Sequence, residues 1–278
     1  MDFFTLNNGR KIQQIAFGTY LSEGNDCYNS VRKAIDVGYT NIDTAAFYKN
    51  EDLVGKAVKD SGIDREKLFV TTKIWNSEQG TILSRKSIEN SLRLLDIDYI
   101  DLMLIHWPIP VGHENDYQEL NKQTFEVMAE YKEKGLIRHL GVSNFLVEHL
   151  KQIEKNTGIR PEFNQIEMHA GLMQDEICAF CKQNGIIVQA WRPLMKGACD
   201  SFPTLCEIAK KHGKTPSQIA LKILIDAGVM PIPKSVHNER IEENFALFDF
   251  ALDNDDKTKI YGMEEFRCGS HPLHLTRK

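Results

Sequence analysis

Eight short apolar runs alternate with amphipathic segments along nearly the whole chain, and this alternation limits the possible folds more than any other feature. Between the runs, apolar residues recur three and four positions apart, which is the period of an α-helix. Several helical segments end at a glycine, such as Gly38, Gly158 and Gly228, which suits the left-handed conformation that closes many helices. The predicted strands are 15–20, 40–43, 68–73, 99–106, 139–144, 162–167, 186–191 and 230–234.

Eight strands that are each followed by a helix fit a parallel (β/α)8 barrel better than a doubly wound sheet. The doubly wound alternative also lacks its dinucleotide-binding fingerprint, since no two of the 18 glycines are separated by a single residue. Gly213-Lys214-Thr215 is similar to the end of a phosphate-binding loop, but that loop would begin with glycine at position 208, which is Ile208. We therefore predict an α/β protein of the (β/α)8 barrel class.

The two ends of the chain predict small additions to this barrel. Asn7-Asn8-Gly9 is a turn signal that predicts an N-terminal β-hairpin. Only a short segment follows Phe266, so we expect a short C-terminal loop. No linker rich in Ser, Pro or Gly divides the sequence, which indicates one barrel domain over residues 1–278.

Composition and charge favour a small-molecule partner. Lys and Arg total 34 against 39 Asp and Glu, so the net charge of −5 provides no positive field for nucleic acid or acidic lipid. No run approaches the roughly 18 apolar residues of a membrane span, and the N-terminus lacks the pattern of a signal peptide. We expect a cytoplasmic protein that binds neither nucleic acid nor membranes.

The six cysteines are sparse and irregularly spaced, which predicts reduced thiols rather than a disulfide framework. Cys178 and Cys181 form a CxxC pair inside a predicted helix, without a second pair of ligands nearby. Two buried helix thiols explain this pair more simply than a zinc site or a redox site does. The zinc and redox interpretations stay open as alternatives.

Polar and ionisable residues occur where the predicted strands end, which is where barrels of this type build their active sites. All three tryptophans, Trp75, Trp107 and Trp191, lie at these positions, which indicates a pocket with aromatic walls. The alternative is that each tryptophan only caps the core. The polar strand-end residues include Asp43, Lys73, His106, Ser143, Asn144, Gln165, Arg192, Lys234 and Ser235.

Asp43, Lys73 and His106 end successive strands, and Tyr48 follows Asp43 in the next loop, so the four side chains can converge. A cation about 4 Å from the phenol contributes roughly 4 kcal/mol, or about three pKa units before the cost of burial. Lys73 is thus expected to bring the pKa of Tyr48 towards neutrality, with Asp43 keeping the lysine charged. An ordinary buried ion pair beside a satisfied tyrosine and histidine is the alternative interpretation.

These residues resemble the aldo-keto reductase family, and the similarity runs through nearly the whole chain. Gly18-Thr19-Tyr20 is similar to the end of the family's first strand, and residues 41–62 resemble its segment with the catalytic aspartate and tyrosine. Residues 95–108 resemble the segment with the active-site histidine. The segments 141–145 and 164–167 resemble the nicotinamide-amide site, and 232–244 resembles the adenosine-phosphate site.

The resemblance implies reduction of a carbonyl by NADPH, with Tyr48 as general acid, Lys73 and Asp43 as its tuning pair, and His106 orienting the carbonyl. It also implies that Trp191 stacks on the nicotinamide, and that Lys234, Ser235 and Arg240 bind the 2′-phosphate, which favours NADPH over NADH. The implied cofactor positions are Thr19, Tyr20, Asp43, Ser143, Asn144, Gln165, Trp191, Arg192, Leu194, Lys234, Ser235, Val236, Arg240, Glu243 and Asn244.

The chain departs from the common family pattern at three places. Tyr20 replaces a frequent tryptophan, His169-Ala170 replaces His-Pro, and Trp191-Arg192 replaces Tyr-Ser, as in bacterial and protist members. Together with the short tail after Phe266 and the compact loop at 108–119, this favours small aldehydes, dicarbonyls or keto-sugars as substrates. The resemblance to the family implies a monomer. The expected substrate-contacting residues are Tyr20, Tyr48, Trp75, His106, Trp107 and His113.

Two other functions on the same fold stay open. A nucleotide-binding regulatory subunit would use the barrel as a cofactor sensor, and a structural protein of the crystallin kind would retain an intact site with little turnover. Members of the family that reduce steroid C=C bonds have glutamate where this chain has His106, so carbonyl reduction is favoured here.

Overall fold

The chain forms an eight-stranded parallel sheet that is preceded by a short hairpin. The structure is a computed structural model and describes residues 2–274. The antiparallel hairpin consists of β1 (Phe3–Thr5) and β2 (Lys11–Gln13), joined through the predicted turn at Gly9. The parallel strands are β3 (Phe17–Gly18), β4 (Asn41–Asp43), β5 (Phe69–Ile74), β6 (Ile100–Ile105), β7 (Ile137–Ser143), β8 (Phe163–Glu167), β9 (Ile187–Trp191) and β10 (Met230–Pro231).

Neighbouring strands follow one another in chain order from β3 to β10, and the first and last strands join. The backbone N–H of Ala16 donates to Pro231 O over 3.0 Å, and that of Gly18 donates to Pro233 O over 2.9 Å. The sheet therefore closes on itself, and the predicted barrel with its hairpin is confirmed.

Each parallel strand is followed by at least one helix, and the helices pack their apolar faces on the outside of the strands. Two helices follow β9, where the sequence pattern predicts a single crossover. The helices are α1 (Gly24–Val37), α2 (Glu51–Asp60), α3 (Thr81–Leu95), α4 (Tyr117–Glu133), α5 (Val147–Thr157), α6 (Asp175–Gln183), α7 (Pro203–His212), α8 (Pro216–Asp226), α9 (Asn238–Phe245) and α10 (Asn254–Tyr261). None of the helices within residues 2–274 combines the length and apolar character needed to cross a bilayer.

A second, smaller core fills the inside of the barrel. Leu6 and Ile12 of the hairpin segment pack there against residues such as Phe69 and Leu104, so the hairpin closes the N-terminal end. Successive side chains of a strand point to opposite faces. Lys73 has the same parity on β5 as Phe69, and it therefore points into the barrel near its C-terminal end.

The strand boundaries agree with the predicted ones except at the closure. The predicted strands 15–20 and 230–234 shorten to Phe17–Gly18 and Met230–Pro231. Pro231 and Pro233 have no N–H groups, so the last strand offers carbonyl acceptors to the first strand at these positions but cannot donate in return.

The CxxC pair lies in α6, as predicted, with Cys181 fully buried. Burial raises the pKa of the Cys178 thiol to about 11 and that of Cys181 to about 12. Both residues are therefore protonated thiols at neutral pH, and neither belongs to a metal-ligand cluster among residues 2–274.

Candidate active site

A buried lysine with three acceptors lies at the centre of the polar groups inside the barrel. Lys73 Nζ donates to Asp43 Oδ1 over 2.7 Å, to Thr44 O over 2.7 Å and to Tyr48 Oη over 3.4 Å. An ammonium group has three N–H donors, and each finds one acceptor here. Burial lowers the pKa of Lys73, and the Asp43 carboxylate counteracts this change. The lysine therefore depends on Asp43 for its charge.

The Tyr48 phenol faces the cavity from a short turn after β4. Its ring lies 5.0 Å from that of Tyr20 and 5.8 Å from that of His106, measured between centroids. Burial, followed by the charge of Asp43, raises the pKa of Tyr48 well above its ordinary value, while Arg192 lowers it. The expectation that Lys73 brings this pKa towards neutrality is wrong for this structure, because the loss of hydration outweighs the nearby positive charge. The phenol is consequently protonated at neutral pH.

His106 follows β6 and is surrounded by aromatic rings. Its imidazole makes edge contacts with Trp75 and Phe47, at centroid distances of 4.9 and 6.3 Å. Burial and the charge of Lys73 lower the pKa of His106 well below its ordinary value. His106 Nδ1 is buried and has no hydrogen-bond partner among residues 2–274. The ring is therefore neutral at physiological pH, with one N–H donor and one acceptor nitrogen.

A chain of amide and hydroxyl groups lies beside the lysine and the phenol. Asn144 Nδ2 donates to His106 O over 2.8 Å, and Asn144 Oδ1 accepts from Trp191 Nε1 over 2.8 Å. Ser143 Oγ donates to Gln165 O over 2.8 Å. Asn144 has a left-handed backbone with φ of 64°, which asparagine adopts more readily than most residues. These bonds fix the orientation of the Trp191 indole.

Two cationic side chains, Lys234 and Arg240, lie around the start of α9. Lys234 Nζ donates to Leu21 O over 3.3 Å, and Arg240 forms no ion pair with any described residue. Glu243 Oε1 accepts a hydrogen bond from the Thr215 hydroxyl over 2.7 Å. The carboxylate is thus engaged, whereas the Arg240 guanidinium is exposed to solvent.

One elongated cavity of about 1050 Å³ connects the phenol to this cationic end. Most of the predicted site residues line it, and they come from the C-terminal ends of all eight parallel strands and the loops and helices that follow. The predicted residues that line the cavity are Tyr20, Asp43, Tyr48, Trp75, His106, Trp107, Ser143, Asn144, Gln165, Trp191, Arg192, Leu194, Lys234, Ser235, Arg240, Glu243 and Asn244.

Four predicted site residues do not line the cavity. Lys73 lies buried behind Tyr48, and the Thr19 hydroxyl donates to Asp43 O over 3.0 Å. His113 lies in an exposed loop, with Nδ1 3.0 Å from the Asp116 carboxylate, so it is not brought to the substrate end. Val236 is partly buried and also lies outside the lining.

The sequence model of the aldo/keto reductase family matches residues 14–265, which include the whole barrel. The chain belongs to the aldo/keto reductase family. The reductase is 42% identical over 276 residues to a glyoxal reductase of Bacillus subtilis, covering 99% of this chain and 97% of that protein. It is 39% identical over 271 residues to the methylglyoxal reductase DkgA of Escherichia coli, covering 96% and 95% of the two chains.

A solved structure has the same fold. An aldo-keto reductase of Bombyx mori in complex with NADP superimposes with a TM-score of 0.87 at 35% sequence identity. The similarity covers 97% of this chain and 95% of the Bombyx protein.

Sequence reasoning missed several residues of the reductase cavity. Lys196, Thr215 and Ser217 line it from the segments after β9. Thr215 belongs to the Gly213-Lys214-Thr215 sequence, which does not fit a phosphate-binding loop. The C-terminal residues Cys268, Gly269 and Ser270 also line the cavity. The short C-terminal loop predicted after Phe266 contains these three residues, but the sequence does not indicate that they reach the cavity.

Glu167, another residue without a predicted role, connects this tail to the barrel. Its fully buried carboxylate accepts the backbone N–H groups of Cys268 over 2.6 Å and Gly269 over 2.8 Å. His169 Nδ1 accepts a hydrogen bond from the Gly171 N–H over 3.3 Å, and its Nε2 lies 3.7 Å from a carboxylate oxygen of Glu167. Glu167, His169 and Cys268 lie close together, and the backbone N–H groups that Glu167 and His169 accept give these two residues a structural role.

Proposed function

We propose that this reductase uses NADPH to reduce the carbonyl group of small aldehydes and dicarbonyl compounds to an alcohol. One observation carries the proposal: the protonated Tyr48 phenol faces the cavity while its oxygen accepts a hydrogen bond from the buried Lys73. The neutral His106 imidazole lies beside it. A proton donor, a nearby cation and a neutral hydrogen-bonding group can orient a carbonyl, protonate its oxygen and stabilise the charge that remains, while the cofactor provides the hydride.

The roles of the four residues follow from their contacts. His106 orients the carbonyl oxygen towards the phenol, and Tyr48 then donates its proton to that oxygen. A developing alkoxide is more basic than phenolate, so the transfer is favourable even though burial raises the pKa of Tyr48. Lys73 stabilises the phenolate that remains, and Asp43 keeps the lysine charged. When bound, NADPH supplies the hydride that the carbonyl carbon accepts.

The cavity suits a nicotinamide dinucleotide phosphate. Trp191 offers a flat aromatic face, and Ser143, Asn144 and Gln165 offer the donors and acceptors that a carboxamide needs. Arg240, exposed and without an ion pair among residues 2–274, can take a 2′-phosphate together with Lys234. The remaining proposed cofactor contacts are the cavity-lining residues Tyr20, Asp43, Arg192, Leu194, Ser235, Glu243 and Asn244, whereas Thr19 and Val236 lie outside the lining.

Small substrates are favoured by the substrate end of the cavity. The aromatic side chains of Tyr20, Trp75 and Trp107 line the cavity together with the Tyr48 phenol. The relatives named glyoxal reductase and methylglyoxal reductase support dicarbonyl compounds as the first substrates to test. We further propose a cytoplasmic enzyme, supported by six free cysteines. We also propose a monomer, which size-exclusion chromatography with light scattering tests.

The test is the oxidation of NADPH, followed by absorbance, with methylglyoxal, phenylglyoxal, 4-nitrobenzaldehyde and keto-sugars. Tyr48→Phe should bind NADPH as the wild type does and lose about 10²–10⁴-fold in kcat. Tyr261→Phe, on the exposed helix α10, is the matched control. A Tyr48→Phe enzyme with the kcat of the wild type removes Tyr48 from its role. Tight NADPH binding without turnover of any substrate favours a cofactor sensor or structural protein instead.

A further inference from the structure

Asn50 lies at the start of a helix but does not cap that helix with its side chain. It immediately precedes α2, where an asparagine ordinarily accepts a hydrogen bond from a backbone N–H group of the first helical turn. The Asn50 side chain forms no such bond within α2, all of whose residues the structure describes. The carboxamide is instead buried against the loops that follow β3 and β4. Its hydrogen-bonding groups therefore serve another purpose than helix capping.

Each polar atom of the Asn50 carboxamide has a partner outside α2. Nδ2 donates to Thr19 O and to Ser22 O, over 3.0 Å in both cases, and Oδ1 accepts from the Thr44 hydroxyl over 2.8 Å. An amide NH2 group has two N–H donors, so both of them are used. One buried side chain thus connects the loop after β3 with the loop after β4.

The loop after β3 places Tyr20 and Leu21 in the cavity wall. Leu21 has φ of 59°, a left-handed conformation that leucine rarely adopts because of its steric cost. The two hydrogen bonds from Asn50 end on the carbonyls of Thr19 and Ser22, one on either side of these two residues. They therefore hold both ends of a loop whose conformation is unfavourable by itself.

The loop after β4 contains the proposed general acid. Thr44 begins this loop, and Tyr48 lies four residues farther along, in a short turn. The Thr44 carbonyl accepts a hydrogen bond from the Lys73 ammonium over 2.7 Å, while the Thr44 hydroxyl donates to Asn50. The Tyr20 and Tyr48 rings, one from each loop, lie 5.0 Å apart between centroids. The carboxamide thus bridges the two segments that bring these rings together.

We propose that Asn50 is a positioning residue, which sets the Tyr48 phenol against Lys73 and Tyr20 by bridging the two loops. The proposal rests on the proposed reductase function and adds a residue to it. Asn50 is not part of the cavity lining that the described residues form, so it acts through the loops rather than on a ligand. A displacement of about 1 Å at a reacting group can lower the rate about 100-fold.

Replacement of the carboxamide provides the first test. Asn50→Ala should lower kcat for 4-nitrobenzaldehyde about 10- to 100-fold. Asn41→Ala is the matched control, because Asn41 is also buried and donates to two backbone carbonyls, those of Gln13 and Ile15, outside the cavity lining. Urea unfolding should show similar losses of stability in the two variants, since both lose buried hydrogen bonds. Only Asn50→Ala should lower kcat.

Thr44 allows a smaller change at the same bridge. Thr44→Val keeps the shape of the side chain without its hydroxyl, and it should lower kcat about 2- to 10-fold because one hydrogen bond is lost. Thr44→Ser keeps the hydroxyl and should lose less than Thr44→Val does. In the Asn50→Ala background, Thr44→Val should have no further effect, because the partner of the hydroxyl is already absent.

Hydrogen exchange, measured by mass spectrometry, reports on the loop independently of turnover. The amides of residues 19–22 should exchange faster in Asn50→Ala than in the wild type, and at the wild-type rate in Asn41→Ala. A wild-type kcat in Asn50→Ala, or equal losses of kcat in both variants, overturns the proposal. If Asn50→Ala does not fold, a wild-type kcat in Thr44→Val overturns it instead. If the wild type reduces no carbonyl, the proposed function fails, while the exchange rates still decide whether Asn50 holds the loop.

Discussion

The side-chain amide of Gln165 donates a hydrogen bond to Asp43 Oδ2 over 2.7 Å, while Asp43 Oδ1 accepts one from Lys73 over the same distance. One buried carboxylate thus connects the proposed nicotinamide-amide site with the lysine behind Tyr48, the proposed proton donor. Because both carboxylate oxygens are occupied, the position of Asp43 depends on two strands at once. Changes at this residue should affect both stability and catalysis.

Asp43→Asn should lower the free energy of unfolding by about 3–5 kcal/mol, because the lysine is left buried without a counter-charge. Adding Lys73→Met should recover much of this loss, since no unpaired charge then remains. Urea unfolding measures both variants. Asp96→Asn is the matched control, because its ion pair with Lys59 is exposed and should leave stability unchanged. Unchanged stability in Asp43→Asn would show that Lys73 does not depend on this carboxylate.

The rate of carbonyl reduction should be flat between about pH 6 and pH 9. The pKa of Tyr48 is raised well above its ordinary value, so the acid remains protonated and activity is lost only as the pH rises through that value. The pKa of His106 is lowered well below its ordinary value, so its ring remains neutral over the same range. A kinetic pKa near 6.5 that disappears in His106→Asn contradicts this prediction.

Arg240→Gln should raise the KM for NADPH about 10- to 100-fold and change the KM for NADH little, because only NADPH carries the 2′-phosphate. The exposed guanidinium has no ion pair among residues 2–274 that would be disrupted by the substitution. Steady-state kinetics with each cofactor measures the effect, with Arg93→Gln as the control. Equal effects on the two cofactors exclude this assignment of Arg240.

Gly269→Ala should weaken substrate binding without a large loss of stability. The added Cβ meets the edge of Trp191 at 2.3 Å, so the tail or the indole must shift. We expect a higher KM for carbonyl substrates and a smaller quenching of tryptophan fluorescence by NADPH. Gly262→Ala is the control, since its Cβ would meet its nearest neighbour, Thr258 O, at 3.3 Å. Kinetics and quenching equal to those of the wild type would show that the close packing has no role in the cavity.

Strand order and the position of the site could be predicted because both follow from local periodicity. Backbone alternation places Asp43 and Lys73 on the inner face of their strands, and parallel strands bring their C-terminal ends together. The resemblance to the family then implied that Asp43 and Lys73 act as the tuning pair of a general acid. The position of His113 could not be predicted, because the path of its loop determines whether the ring reaches the cavity.

The sequence by itself determined the barrel, its hairpin and the residues at the ends of the strands, since these depend on patterns that repeat within a few residues. Only the tertiary structure decided whether the pKa of Tyr48 rises or falls, because the effect of burial opposes that of the nearby lysine. It also decided that Glu167 anchors the backbone of Cys268 and that Arg192 contacts the same residue. Such contacts join distant parts of the chain, and they exist only because closure of the barrel brings those parts together.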